Sequence, residues 1–378
     1  MIKYSVGIDI SAKNFHVCMS SIDANQVIKI KATTTFSNNQ SGFKNLNTWI
    51  KKHQADTQIP LVIVMEATGV YYEACALFLH QAAYQVSVIL PNKAKKYIQA
   101  VGIKTKNDKI DARGLSRMAA EQALEKWQPL STYFFTLRAY TRQLQSLQEL
   151  KTSLGNQLHA AELTMYKVPL VIKQLKKLLK TVKADIKKLE VSVNEHIQSD
   201  TEVASKVEKM CSIKGVGTIT VAVILAETNG FALFENIGQL ISYAGYDVIE
   251  NQSGKRTGKT RISKKGNARI RRILYMPALN MVKYKVAPFL NLFERIYDKQ
   301  NIKMKGYVAI QKKLLLILYT LWKKDQFFNQ TFLKTNADGE QELPLGMASQ
   351  KPKISSPAQG RTTQGKQTHD ESQFASSR

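Results

Sequence analysis

Cysteine is scarce. Only Cys18, Cys75 and Cys211 occur in 378 residues, at spacings that suit neither a metal-ligand set nor a disulfide framework. This excludes a disulfide-stapled scaffold and a cysteine zinc site, and it fits a reducing cytosol. Long apolar runs are also missing. The longest aliphatic stretch near the C-terminus, Leu314–Leu318, is far too short to span a membrane. The N-terminal MIKYSVGIDI enters a strand directly and has no secretory pattern, so a soluble cytoplasmic protein is expected. Acidic residues are few as well: 29 Asp+Glu stand against 55 Lys+Arg, for a formal net charge of +26. Residues 336–378 carry five basic and five acidic residues, so the whole excess lies upstream. Such self-repulsion points to a polyanionic partner.

The first third of the chain reads as α/β. Tyr4–Ile10, Phe15–Ser20 and Val27–Thr34 form three strands separated by short polar turns. A helix over 40–53, a buried strand over 61–65, a helix from Val70 to Ala83 and a strand over Val86–Leu90 follow, with another helix beginning near Asp108. Three strands followed by alternating helices and strands is the order of an RNase H-like mixed sheet. Residues 137–197 differ in kind. Leu137, Tyr140, Leu144, Leu147, Leu154, Leu158, Ala161 and Met165 keep heptad spacing, and a second run from Ile172 to Val193 begins after Pro169. Two heptad stretches broken by a proline indicate a helical hairpin or a coiled coil. The expected organisation is an RNase H-like domain over 1–130, the coiled coil or hairpin over 131–202, a mainly helical domain over 203–335, and a disordered tail over 336–378, which is rich in Ser, Gln, Gly and Thr.

Four of the scarce acids occupy positions that nuclease chemistry uses. Asp9 and Glu66 each end an apolar strand run, and Asp108 and Asp111 lie three apart, on one helix face. Hard cations such as Mg²⁺ take oxygen ligands of this kind, bridged to phosphate, and two ions about 4 Å apart need about this many carboxylates. Each acid alone could instead be a turn or capping residue.

Two further motifs suit nucleic acid. Ile213-Lys214-Gly215-Val216-Gly217-Thr218, leading into the apolar Ile219–Ala226, has the helix-hairpin-helix pattern, in which Gly215 and Gly217 let backbone N–H groups approach a phosphate. Residues 253–272 hold nine Lys or Arg residues and no acid: Lys255, Arg256, Lys259, Arg261, Lys264, Lys265, Arg269, Arg271 and Arg272. Glycines at 254, 258 and 266 would let this backbone follow a phosphate chain, and a regular helix is expected over 268–282. Ser253, beside glycine among these cations, could contact phosphate or act as a nucleophile, with Ser263 and Tyr275 as competing hydroxyls. From the residues alone three readings stand open: a recombinase using a serine, a metal-dependent structure-selective nuclease using water, and a non-catalytic nucleic-acid-binding assembly factor.

Over nearly all of residues 4–328 these features together resemble the DEDD transposases of the insertion sequence 110 family, whose relatives include pilin-gene-inverting recombinases. Val6-Gly7-Ile8-Asp9, Met65-Glu66-Ala67-Thr68-Gly69-Val70-Tyr71 and Asp108-Lys109-Ile110-Asp111-Ala112 resemble the family's acidic motifs. Tyr243-Ala244-Gly245, Ser253-Gly254 and Ile262-Ser263-Lys264-Lys265-Gly266-Asn267 resemble its C-terminal signature. The chain departs from the pattern at Asn107, Lys214, Val248 and Lys312. The resemblance implies a Holliday-junction-resolvase-like domain that binds Mg²⁺, or Mn²⁺ in its place, through Asp9, Glu66, Asp108 and Asp111. It implies a C-terminal transposase domain whose Ser253 attacks DNA to form a phosphoserine linkage. It further implies double-stranded donor and target DNA, a noncoding guide RNA from the element, and a homo-oligomer (dimer or tetramer) in which the two sites meet.

Overall fold

The computed structural model describes residues 1–329 other than 104, 106, 251, 254, 255 and 259, and only the backbone of 253, 256 and 257. The tail over 336–378 therefore lies outside the described residues. The first strands are β1 (Lys3–Ile10), β2 (Asn14–Ile22) and β3 (Ile28–Ser37). Helix α1 (Gln40–His53), β4 (Leu61–Glu66), α2 (Glu73–Gln81), β5 (Gln85–Ile89), α3 (Pro91–Ala100) and α4 (Asp108–Glu121) follow. The sheet order is β3-β2-β1-β4-β5, with β1, β2 and β3 antiparallel and β4 and β5 parallel to β1. This is the RNase H-like arrangement. The apolar run of β4 is continuous because helices cover both faces of the sheet. On one face Val6, Ile8, Ile63 and Met65 pack with Phe43, Leu46 and Ile50 of α1 and Leu79 of α2. On the other, Val62, Val64 and Ile89 meet Ala94 of α3 and Leu115, Met118 and Ala119 of α4.

Two boundaries differ from expectation. Helix α2 starts at Glu73 rather than near Val70, because residues 68–73 close two successive turns instead, the Tyr71 N–H bonding the Thr68 carbonyl (3.3 Å) and the Glu73 N–H the Val70 carbonyl (3.2 Å). Helix α3 is additional, and Pro91 at its first turn supplies the preset φ with which helices often begin.

Helix α4 crosses β1 antiparallel and very close. Ser116 donates to the Ser5 carbonyl (3.2 Å) and to Ser20 Oγ (2.9 Å). At Gly7 there is no room for a side chain, since a Cβ would overlap the Ala112 carbonyl oxygen and the Ser116 nitrogen. One helix step of four residues rises about 6 Å, close to the roughly 7 Å covered by two strand residues. Ser116 therefore lies at Ser5, Ala112 at Gly7, and Asp108 at the level of Asp9.

The rest of the chain is mainly helical. α5 (Thr132–Leu163) and α6 (Pro169–Gln198) form an antiparallel hairpin. The Tyr133 and His196 rings stack at one end (centroids 4.3 Å), and Lys176 pairs with Glu162 at the other (2.9 Å). Leu144, Leu154, Val182 and Ile186 form the seam. Leu137, Val193 and Ile197 also enter the core formed by α7 (Thr201–Cys211), α8 (Thr218–Thr228) and α13 (Lys303–Lys324). The remaining helices are α9 (Ile237–Ala244), α10 (Ala268–Ile273), α11 (Tyr275–Lys283) and α12 (Ala287–Gln300). The single helix expected over 268–282 is thus two. Pro277 has no N–H to bond the Ile273 carbonyl, and the break falls at Leu274. Between α9 and α10, β6 (Val248–Ile249) pairs with β9 (Arg261–Ile262), and inside them β7 (Gln252–Ser253) pairs with β8 (Arg256–Thr257). Among the described residues no helix is long and apolar enough to cross a membrane.

The Gly7 contact yields a direct test. Gly7→Ala should lower stability by about 1–3 kcal/mol, the usual cost of overpacking, as measured by urea unfolding. It should also displace Asp108 from His16, which a crystal structure of the variant would show, because the turn bearing Asp108 and Asp111 must shift.

Candidate active site

Asp9 and Glu66 reach the same edge of the sheet on neighbouring strands. Ile8 pairs with Met65, so the next residue on each strand is the acid. Strand alternation assigns faces. Ser5 bonds to α4 and Val64 packs against it, so Asp9 and Glu66, of matching parity, belong to the α4 face. The N-terminal turn of α4 brings Asp108 and Asp111 to that face. Its cap is Asn107, whose side-chain oxygen accepts from the Ile110 N–H (2.9 Å). The residue that departs from the family pattern is therefore itself an effective cap. His16, the cross-strand partner of Asp9, has Nδ1 3.6 Å from Asp108 Oδ2. Thr68 donates to Glu66 Oε1 (3.3 Å).

Asn38 was not singled out from the sequence, yet it ties the two acid-bearing connections together. Its amide donates to the Ser11 carbonyl (2.8 Å) after β1 and to the Tyr71 carbonyl (3.1 Å) after β4. The donor set, four carboxylates on one face, has the hard-oxygen chemistry that a divalent cation takes. Among the described residues, however, no three His, Cys, Asp or Glu side chains already close around a common point.

In the second motif, Gly215 adopts a left-handed φ of 95° between α7 and α8. Gly217 caps α8, and a Cβ there would meet nothing within 4 Å, so the turn presents open backbone.

The basic segment divides into separate roles. Arg261, Lys264, Lys265, Arg269 and Arg272 are exposed, and Arg272 pairs with Glu149. Arg271 instead donates to the Ala244 and Lys264 carbonyls (2.8 and 3.2 Å), holding the loop to the end of α9. Gly266 is needed for packing, since a Cβ would overlap the Tyr243 oxygen and the Gly245 nitrogen. Ser263 donates to Asp247 Oδ1 (2.6 Å), which pins the same loop. Tyr275 packs edge-on against Tyr307. Lys255 and the side chains of Ser253 and Arg256 lie outside the described residues. The backbone of Ser253 pairs with Arg256 at the inner end of the β-arm.

Beneath this segment lies a group that the sequence reading missed. Glu227, 1% exposed, ends the apolar helix α8. Arg142 Nε and Nη2 donate to its two oxygens (2.8 and 3.1 Å), Arg138 Nη2 donates at 3.3 Å, and Asn267 Nδ2 at 2.8 Å. Arg269 Nε stands 3.9 Å away. Asn267 also caps α10, accepting from the Arg269 N–H (2.9 Å), so the buried carboxylate anchors the basic helix. The one signal in the sequence was a single charge inside an otherwise uncharged helix. Burial alone would push the Glu227 carboxyl up. The hydrogen bonds from Arg142 and Asn267 and the fields of Arg138 and Arg142 outweigh it and hold the group at about 2.

A carboxyl depressed on folding stabilises the protein above its ordinary value of 4.5, and that contribution is lost as pH falls toward about 2. The linkage is worth about 3 kcal/mol. The stability gap between wild type and Glu227→Gln, from urea unfolding, should therefore be largest above pH 5 and shrink by about that amount on acidification.

Residues 6–166 match the family model for DEDD transposases of IS110, described as a transposase, and residues 207–294 match that of the IS116/IS110/IS902 transposase family. The pilin gene-inverting proteins of Moraxella bovis and Moraxella lacunata are each 28% identical over 331 residues, 87% of this chain and 99% of theirs. Thermus thermophilus RuvC in complex with a Holliday junction substrate aligns with 33% of this chain and 99% of its own, at 7% identity and a TM-score of 0.26. Both models name IS110 and match, in order, the sheet domain and the helical region; together with the pilin gene-inverting relatives they indicate an enzyme of the DNA transposase or recombinase class.

Proposed function

We propose that the protein moves or inverts a DNA segment by serine-mediated strand exchange assisted by divalent metal. The observation that carries the proposal is the convergence of Asp9, Glu66 and the α4 turn bearing Asp108 and Asp111 on one edge of the sheet. These four residues would hold Mg²⁺, with Mn²⁺ as a substitute. Bound there, the metal would polarise the scissile phosphate and stabilise negative charge on the departing oxygen.

Ser253 supplies the attacking hydroxyl. Its Oγ bonds to phosphorus, the bond from phosphorus to one strand oxygen breaks, and that oxygen leaves as a hydroxyl with the serine proton. The phosphoserine retains the energy of the original diester, so a hydroxyl of another strand can reverse the step and reseal DNA without ATP. Exposed Arg261, Lys264, Lys265 and Arg269 neutralise backbone phosphates, and the open turn at Gly215 and Gly217 offers N–H groups to one more.

A noncoding RNA from the element, bridging donor and target DNA, is part of this reading. Its support is the family match together with the net charge of +26. Assembly of copies through the α5–α6 hairpin has separate support. Leu163, Met165, Tyr166, Val168 and Leu170 at its tip are all more than half exposed, an apolar patch of a kind that marks interfaces.

Denaturing electrophoresis of reactions on labelled duplexes carrying the element's ends tests the chemistry. A covalent adduct should map to Ser253, and Ser253→Ala should abolish both adduct and cleavage. Asp9→Asn should lower cleavage by about 10³-fold or more with DNA binding intact. Cleavage that survives Ser253→Ala without an adduct would establish water as the nucleophile.

A further inference from the structure

Arg138 and Arg142 lie one helix turn apart on α5, outside every motif assigned above. Three guanidiniums, Arg138, Arg142 and Arg269, surround one carboxylate, Glu227. Glu73, at the start of α2, also lies within electrostatic reach of Arg142. Even with it included, cations outnumber carboxylates. The excess sits in a half-buried position, where like charges repel more strongly than at an open surface.

The donors are likewise in excess. Arg142 gives Nε and Nη2 to Glu227, which leaves Nη1 unused by that carboxylate. Arg138 gives only Nη2, while its buried Nε has no hydrogen-bond partner among the described residues. A buried N–H without an acceptor is costly, so Glu227 alone does not satisfy the cluster's donors. Arg142 and Arg269 keep 40% and 43% of their side-chain surface exposed, so the cluster is open to an incoming anion.

The location is specific. Burial, with the field of Glu73, pushes the Tyr72 phenol up, against the opposing fields of Arg138 and Arg142. The connection 67–72 that follows Glu66 therefore ends within electrostatic reach of these arginines. Along the chain, Asn267 and Arg269 follow the Ser253 arm. Fixed guanidinium forks suit a phosphate better than a mobile lysine would.

We propose that Arg138, Arg142 and Arg269, oriented by Glu227, form a seat for one phosphate of the DNA backbone between the carboxylate face and the Ser253 arm. The seat rests on the reading of those two groups as the halves of the recombination site. Glu227 is a positioning residue: it touches no DNA and fixes the guanidiniums that do.

Equilibrium binding of a labelled duplex DNA, titrated against KCl without divalent metal, tests the seat independently of cleavage. The double variant Arg138→Gln/Arg142→Gln should weaken binding about tenfold and lower the slope of log affinity against log salt by about one, the value for one lost phosphate contact. Arg117→Gln, on the far side of α4, should change neither. An unchanged slope with a lowered melting temperature would make the cluster a structural network only and overturn the proposal. So would a slope change confined to an RNA duplex.

If the double variant does not fold, phenylglyoxal labelling of the wild-type protein decides the matter. Duplex DNA should slow modification of Arg138 and Arg142 several-fold, and no protection at either position would overturn the seat. Loss of the Ser253 adduct with salt slopes as expected would instead count against the serine chemistry and leave the seat standing.

Discussion

The close passage of α4 over Gly7 is the constraint on which the acidic face depends. Two backbones meet there with no side chain between them, and the rise of the helix nearly matches that of the strand beneath it. The buried Ser5, Ser20 and Ser116 hydroxyls lock the register two residues further along. A helix slipped by one turn would lose those bonds and carry Asp108 away from His16 and Asp9. The placement of four carboxylates from three segments is thereby reduced to one packing contact and the alternation of two strands.

A second constraint organises the helical half. Glu227 is buried, so its charge is tolerable only while Arg138, Arg142 and Asn267 are in place. Those partners come from α5 and from the start of α10. One carboxylate thus fastens the hairpin, the core helix α8 and the basic segment to one another. The loop between Tyr243 and Asn267 closes over the same point through the Gly245–Gly266 contact and the Ser263–Asp247 bond.

Much of the sheet was legible because its signals are local. Tyr4–Ile10, Phe15–Ser20 and the apolar Leu61–Met65 declare strands by alternation or by continuous apolarity, and their order implies the mixed sheet observed. The four acids could be listed, but the reason that they share a face lies at Gly7, where the signal is the absence of a side chain. The break between α10 and α11 depends on one missing N–H, that of Pro277, which residue patterning over 268–282 does not weigh. Helix α3 went unread because only Pro91 announces it. In the basic segment, residue type could not separate Arg271, which bonds to carbonyls, from Arg272, which sits in the open. The Glu227 network was hidden for a different reason. Its members are 85 to 89 residues apart along the chain for Arg142 and Arg138, and no spacing rule links them.

Helix α5 runs without interruption from Thr132 to Leu163. Thirty-two residues make a rod of nearly 50 Å, about 1.5 Å for each residue. Arg138 and Arg142 lie near one end and the bare apolar tip at the other, and the turn into α6 is too short to add slack. A grip on that tip by another copy would therefore also aim the guanidiniums far below it. In such a machine, choosing a neighbour and orienting the cations would be one mechanical event.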